Sequence, residues 1–404
     1  DEKNAYTDRY IWTDFCFGSA DGLNFVGGES ERSGSYILNF FKCQPALNYG
    51  FLNPRKKWEL PMDAPGPRAT VEAMKDVMRF WLSHGCDGFR VDMASSLVKY
   101  DDEKKTGTSA IWREVRQMLD AEFPEAAMVS EWSNPPLALG CGFDMDFILN
   151  DPWTGYHTLM RDYQFREDGD EENHSYFKCD AGGDIHRFLD KYLNWYQETK
   201  DKGYMSLITC NHDTVRPRYG LTEEELKLCY GFLFTMPGVP FLYYGDEIGM
   251  QYQELKNFEG GYYRTGSRTP MQWNSGRNLG FSDAPADALY LPVDPSPEAP
   301  TVESQEARED SLLHTVRALL ALRHQETSLQ ADEAVEFLCT EKEGPLVYRR
   351  GELLMVLNTT SETLTANVEA PECRPLFSIA GEAASEGGRL TAGPRSFTVL
   401  KALQ

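Results

Sequence analysis

The sequence predicts an α/β fold of the (β/α)8 barrel type, and three observations carry that expectation. The first is the stretch 86–94, Cys-Asp-Gly-Phe-Arg-Val-Asp-Met-Ala, which reads as a short buried strand ending in an aspartate. The second is that the pattern recurs. Ala127-Met128-Val129-Ser130-Glu131 and Leu207-Ile208-Thr209-Cys210-Asn211-His212-Asp213 also deliver acids where apolar runs end. The third is that helical periodicity separates these strands, with Met74, Val77, Met78, Trp81 and Leu82 before the first and Ile111, Trp112, Val115, Met118 and Leu119 before the second. Strand, acid and helix repeated around a closed parallel sheet put the chemistry at the carboxyl ends of the strands.

Each element has its own reason. Gly85 and Gly88 stop the first helix and let backbone approach closely. Residues two apart on a strand point to the same side, so Arg90 and Asp92 project together. An arginine beside an aspartate on a strand otherwise built of Phe89 and Val91 is costly unless it is paired or used. A structural ion pair at a strand end accounts for that segment taken alone. Three carboxylates and one arginine converging on one barrel mouth suit cleavage of a glycosidic bond, in which one acid attacks the anomeric carbon and another protonates the leaving oxygen.

Gly88-Phe89-Arg90-Val91-Asp92, then Ser130-Glu131-Trp132, then Asn211-His212-Asp213 resemble, in order and spacing, three signature regions of the α-amylase family, glycoside hydrolase family 13. The stretch 238–247 resembles that family's eighth-strand region. The stretch Ser267-Arg268-Thr269-Pro270-Met271-Gln272-Trp273-Asn274 looks like a loop shared by its α-glucosidases, oligo-1,6-glucosidases and trehalose synthases. The competing reading of that loop is structural, with Trp273 packed onto the barrel. Residues 1–50, rich in Gly, Ser, Asn and aromatics, resemble the irregular β-rich domain that the family inserts after its third barrel strand. A hairpin is expected where Ser35–Phe41 follows the turn-rich 27–34. Ala46 stands where the oligo-1,6-glucosidase branch usually carries an aspartate.

The resemblance implies strands 4–8 of the family barrel, read here at about 86–92, 127–131, 142–148, 204–210 and 239–245. Five parallel strands do not close such a barrel, and an open parallel sheet leaves edges and apolar faces uncovered. The chain is therefore expected to be the larger part of a longer protein, to be completed by another chain, or to form an open, covered sheet.

Between these strands the sequence predicts helices over 107–123, over 184–199 capped by Asp184, over 222–234, and over 310–325 with Leu312, Leu313, Val316, Leu319, Leu320 and Leu322 as its buried stripe. Asp144 and Asp146 fall on one side of the strand 142–148. The acidic run 167–172 reads as a solvated loop without the ligand spacing of a calcium loop. From about 331 the periodicity changes to two, which predicts a C-terminal antiparallel β-domain packed on the barrel. The expected domains are thus 1–50, the inserted β-rich domain; 51–330, the catalytic barrel; and 331–404, the β-domain.

Composition narrows the class. Across 404 residues, 41% are hydrophobic and 12% aromatic, enough for one large α/β domain and a small accessory one. A formal net charge of −23 argues against nucleic acid and anionic membranes as partners, while a neutral sugar is indifferent to it. No apolar run is long enough for a membrane span. Nine scattered cysteines, several in expected core strands, read as reduced thiols of a cytoplasmic protein.

The resemblance implies a retaining reaction on α-glucosidic bonds through a covalent glycosyl-enzyme, on malto- or isomalto-oligosaccharides or related α-glucans. Asp92 would be the nucleophile, kept charged by Arg90. Glu131 would be the general acid and then base, in partly apolar surroundings such as Trp132. Asp213 would stabilise the oxocarbenium-like transition state, and His212 and Arg268 would bind sugar hydroxyls. All three acids are expected to meet around one sugar ring. No cofactor is implied. Calcium is common in the family, but no ligand set is assignable here, and the sequence is silent on oligomeric state. The alternative within the family is a trehalose synthase or other transglycosylase. An inactive family scaffold, like the amino-acid-transporter heavy chains, usually lacks catalytic acids that this chain retains.

Overall fold

The structure, a computed structural model, describes residues 4–18, 20–161, 174–256, 264–369 and 371–403. The acidic run 167–172 lies outside the described residues. By its internal contacts the chain forms two compact units, Asp1–Phe147 with Asp201–Gly203, and Ile148–Lys200 with Tyr204–Gln404.

In the first unit, β1 (Phe25–Gly27) and β2 (Ser35–Ile37) pair antiparallel around the turn 28–34, the hairpin expected there. Ile11, Ala20, Ile37, Ala46 and Phe51 form a small core beside them. Ala46 is only 2% exposed, so a carboxylate in that place would have to be buried among apolar groups. Helix α1 (Pro65–Ser83) starts with two prolines in its first turn, where no backbone N–H is required. It buries Val71, Met78 and Leu82 but leaves Met74, Val77, Phe80 and Trp81 exposed.

Strand β3 (Gly88–Val91) pairs parallel with β4 (Ala127–Ser130), and β4 with β5 (Met145–Ile148). The buried strand expected at 86–92 is shorter and half-exposed, and Cys86 and Asp87 lie in the open. The reason is position: among the described residues, β3 is the edge strand of its sheet. Gly88 has φ 158°, and a Cβ there would sit 2.0 Å from the Ala127 carbonyl oxygen, so this pairing admits only glycine. Gly88→Ala is expected to cost roughly 1–3 kcal/mol by overpacking, read as a shift of the denaturant midpoint at unchanged slope.

Helix α2 (Thr106–Glu122) lies within a residue of its expected bounds and buries the stripe Ile111, Trp112, Val115, Met118 and Leu119. Short helix α3 (Pro135–Gly140) follows β4, its N-cap Asn134 accepting from Leu137 N–H. Of Asp144 and Asp146, expected on one side of the strand 142–148, only Asp146 lies on the strand itself. Asp144 precedes β5 and is bound by Arg116 at 3.0 Å and by the Met128 N–H at 2.7 Å. Asp146 lies on the strand with no exposed surface.

In the second unit, α4 (His157–Met160) and α5 (His186–Thr199) precede β6 (Tyr204–Leu207). Asp184 accepts from His186 N–H at 2.9 Å, but it stands one residue before the N-cap, Ile185. Helix α6 (Glu223–Thr235) opens with a capping box between Thr222 and Glu225 and is buried along most of its length. The last predicted parallel strand is a single bridge, Ile208 to Phe241, held by Phe241 N–H to Leu207 O at 2.9 Å and Thr209 N–H to Phe241 O at 3.0 Å. After α7 (Val302–Glu306), α8 (Leu312–Gln325) starts at the N-cap Ser311 and buries the leucine face read from the sequence, with Leu320 only partly covered.

The chain ends in β7 (Glu336–Cys339), β8 (Leu346–Arg350), β9 (Leu353–Asn358), β10 (Leu364–Asn367), β11 (Cys373–Ile379), β12 (Ala384–Glu386), β13 (Arg389–Ala392) and β14 (Ser396–Ala402). They form antiparallel sheets in the orders β11-β14-β9-β8-β7 and β10-β13-β12. Helix α6 packs on the larger sheet. A Cβ at Gly231 would lie 2.8 Å from the Phe397 ring, and the fully buried Arg350 donates to the Thr235 carbonyl at 2.9 Å. Among the described residues, no helix is long and apolar enough to cross a membrane.

Candidate active site

The sequence-predicted residues fall into two constellations, one in each unit. The first is built by two neighbouring parallel strands. Asp92 follows β3 directly and Glu131 follows β4 directly, with Glu131 N–H donating to Val91 O at 3.0 Å. Parallel register therefore places both acids at one sheet edge, the carboxyl ends of the strands. Arg90 bridges them: Nη1 reaches Asp92 Oδ1 at 2.8 Å and Nη2 reaches Glu131 Oε1 at 2.5 Å. Met93 then turns the chain with φ 42° and ψ 45°, a left-handed conformation costly for a side chain of this kind. That turn aims the Met93 N–H at Glu131 Oε2, 3.2 Å away.

The two carboxyls live in unlike surroundings. The Asp92 side chain is 67% exposed and the Glu131 side chain 13%. Burial raises the Glu131 pKa above the ordinary carboxyl range, and the charge of Asp92 and a hydrogen bond to it add to that shift. The Met93 N–H and Arg90 act the other way. One acid thus holds its proton more firmly beside a second that is open to solvent and ion-paired, the division of labour that acid-assisted displacement requires. Replacing Arg90 by Met removes a cation that favours the Glu131 carboxylate. Glu131 should then ionise at higher pH, as followed by its side-chain carboxyl 13C shift.

The loop after β4 is held from β5. Asp146 accepts from Ser130 Oγ at 2.6 Å and from the N–H groups of Trp132 at 3.2 Å, Ser133 at 3.3 Å and Asn134 at 2.7 Å. Trp132 itself is buried in the apolar cluster with Phe143.

The second constellation centres on Asp213. Asn211 Oδ1 accepts from Asp213 N–H at 2.9 Å and from Thr214 Oγ1 at 3.1 Å, which closes a tight turn. Arg268 donates from Nε to the His212 carbonyl at 2.7 Å and from Nη2 to Asp213 Oδ1 at 2.7 Å. Arg264 Nη1 reaches the same oxygen at 3.0 Å, and His212 Nε2 lies 3.2 Å from Asp213 Oδ2. Beneath the loop lies a buried ion pair, Arg216 with Asp246 at 2.7 Å, both side chains essentially without exposed surface. Arg216 also donates to the Tyr244 and Ser267 carbonyls at 2.7 and 3.0 Å, and its guanidinium stacks on the rings of Tyr243 and Tyr244.

Sequence reasoning found Arg268 but passed over Arg264, whose available signal was its place one helical turn before Arg268. It also passed over the roles of Arg216, Asp146 and Asp246, which depend on partners distant in sequence. Trp273 is half-exposed, contrary to a packing role for that ring. Among the described residues, no group of three or more His, Cys, Asp or Glu side chains is arranged to hold a metal ion.

The chain is similar to the trehalose synthase/amylase TreS of Mycobacterium tuberculosis, 29% identical over 365 residues, covering 80% of this chain and 56% of that protein. It is also similar to the probable oligo-1,6-glucosidase 2 of Bacillus subtilis, 27% identical over 426 residues, covering 90% of this chain and 71% of that one. This chain thus spans little more than half the length of TreS. A solved structure of a trehalulose synthase MutB mutant superposes with a TM-score of 0.76 at 17% identity, covering all of this chain and 79% of the other. That likeness, with the parallel strands and terminal antiparallel sheets described above, shows a TIM-barrel fold of the α-amylase type with a C-terminal β-domain. Residues 66–332 match the family profile described as "Alpha amylase, catalytic domain". The chain belongs to the α-amylase family, glycoside hydrolase family 13.

Proposed function

We propose that this protein is a retaining glycosidase acting on α-glucosidic bonds of malto- or isomalto-oligosaccharides or related α-glucans. The observation that carries the reading is the Arg90 bridge between an exposed Asp92 and a largely buried Glu131. Asp92 Oδ attacks the anomeric carbon as the bond to the leaving oxygen breaks and Glu131 delivers its proton to that oxygen. A glycosyl ester on Asp92 results. The Glu131 carboxylate then takes a proton from water, whose oxygen attacks the anomeric carbon and frees Asp92. Asp213 stabilises positive charge on the sugar, and His212 and Arg268 contact its hydroxyls. The side chains named carry every step, and no cofactor enters. The nine cysteines are free thiols, which supports a reducing, cytoplasmic setting.

A second reading gives the glycosyl group to a sugar hydroxyl instead of water. The 29% identity to a trehalose synthase favours weighing it. Incubation with maltose and chromatography of the products separates the two: glucose alone supports hydrolysis, whereas trehalose or longer saccharides support transfer. Maltose and isomaltose both recovered unchanged would overturn the proposal.

A further inference from the structure

We infer that Asp146 is a positioning residue, whose carboxylate fastens both flanks of Glu131 and so presents that acid to Arg90 and Asp92. The inference rests on the reading of Glu131 as the proton donor. Four donors converge on one carboxylate with no exposed surface: Ser130 Oγ before Glu131, and the N–H groups of Trp132, Ser133 and Asn134 after it. Successive backbone N–H groups turned to one point form a concavity that suits an acid oxygen, and here an acid side chain of β5 fills it; burial raises the Asp146 pKa to about 7, and the four hydrogen bonds act the other way. The three-residue run includes Ser133 at φ 59°, a left-handed backbone that needs outside bonds to hold it.

Glu131 itself is not among the Asp146 partners. Its backbone is clamped elsewhere, N–H to Val91 O at 3.0 Å and carbonyl from Ala94 N–H at 3.3 Å. The carboxylate of Asp146 therefore acts on the direction of residue 131 through the residues on either side. All four donors are N–H or O–H groups, so an amide in place of the carboxylate would set its own NH2 against at least one of them. The ionisable groups acting on Glu131 are Arg90 and Asp92. Near Asp146, burial pushes the Cys141 thiol up to about 12, so it stays neutral across the working range.

The test uses Asp146→Asn and the milder Ser130→Ala, which removes one of the four bonds. In Asp146→Asn, kcat should fall on the order of 10²-fold with KM near its original value, because the acid is misdirected while substrate contacts remain. A loosened loop also admits water to Glu131, so its pKa should fall and the alkaline limb of the kcat profile should move to lower pH. Ser130→Ala should shift both readouts in the same direction and less. A merely structural role would lower thermal stability without moving that limb. Folded variants with unchanged kcat and unchanged Glu131 ionisation would overturn the inference. The Glu131 carboxyl 13C titration needs no turnover. Should the unaltered protein prove inactive on every α-glucoside, the functional reading fails, while an unmoved titration in Asp146→Asn remains the distinct mark against Asp146.

Discussion

Asp92→Asn is expected to lower turnover of α-glucosides on the order of 10⁴–10⁶-fold, the scale seen when a covalent nucleophile is removed. The amide is nearly the same size, so the loss would come from chemistry rather than packing. The Asp92 side chain is two-thirds exposed, and its ion-pair partner, Arg90, also binds Glu131. Thermal stability should therefore change little, since exposed ion pairs contribute at most about 1 kcal/mol. A companion variant, Asp92→Gly, makes the result specific. Added azide can attack the anomeric carbon from the vacated side while Glu131 still protonates the leaving group, and a β-glucosyl azide should accumulate. Turnover by Asp92→Asn near the unaltered rate would remove Asp92 from the chemistry.

The second large effect concerns stability. Arg216→Met leaves Asp246 buried without its cation and should destabilise the protein by about 3–5 kcal/mol, the usual consequence of breaking one side of a buried pair. The guanidinium also carries the Tyr244 and Ser267 carbonyls, and Ser267 adjoins Arg268. Activity should therefore fall before the protein unfolds globally, as the loop bearing Arg264 and Arg268 loosens around Asp213. Equilibrium unfolding in urea measures the first effect and KM for maltose the second. The double variant Arg216→Met, Asp246→Leu should recover much of the stability, because an apolar pair leaves no isolated charge behind. A single variant as stable as the parent would mean that Asp246 takes up a proton in place of the arginine.

Both predictions draw on residues that the sequence treats differently. Asp92, Glu131 and Asp213 could be read directly, because each ends a short apolar run and because three such runs recur in order. Period-two alternation likewise marked the terminal antiparallel sheets, and the leucine spacing marked α8. The hairpin at 25–37 followed from its glycine-rich turn. The same reasoning placed Asp144 and Asp146 on one side of a strand but could not name their partners, since alternation says which side of a strand a residue faces and nothing about what lies opposite. Arg116, 28 residues before Asp144, claims one of them. Backbone N–H groups 12 to 14 residues before Asp146 claim the other. The expectation of a buried strand at 86–92 failed for a related reason: composition does not tell an edge strand from a central one.

By itself, then, the order of residues determined that Asp92 and Glu131 directly follow two parallel strands, and with that which acids are brought together there. Only the tertiary structure decided their electrical and geometric state: Glu131 largely buried and Asp92 open, one guanidinium shared between them, Asp146 hydrogen-bonded by residues distant in sequence and Arg216 ion-paired with Asp246. Periodicity is a local property of the chain, whereas burial and pairing depend on which segments meet. Those second quantities set the proton affinities on which the proposed reaction rests.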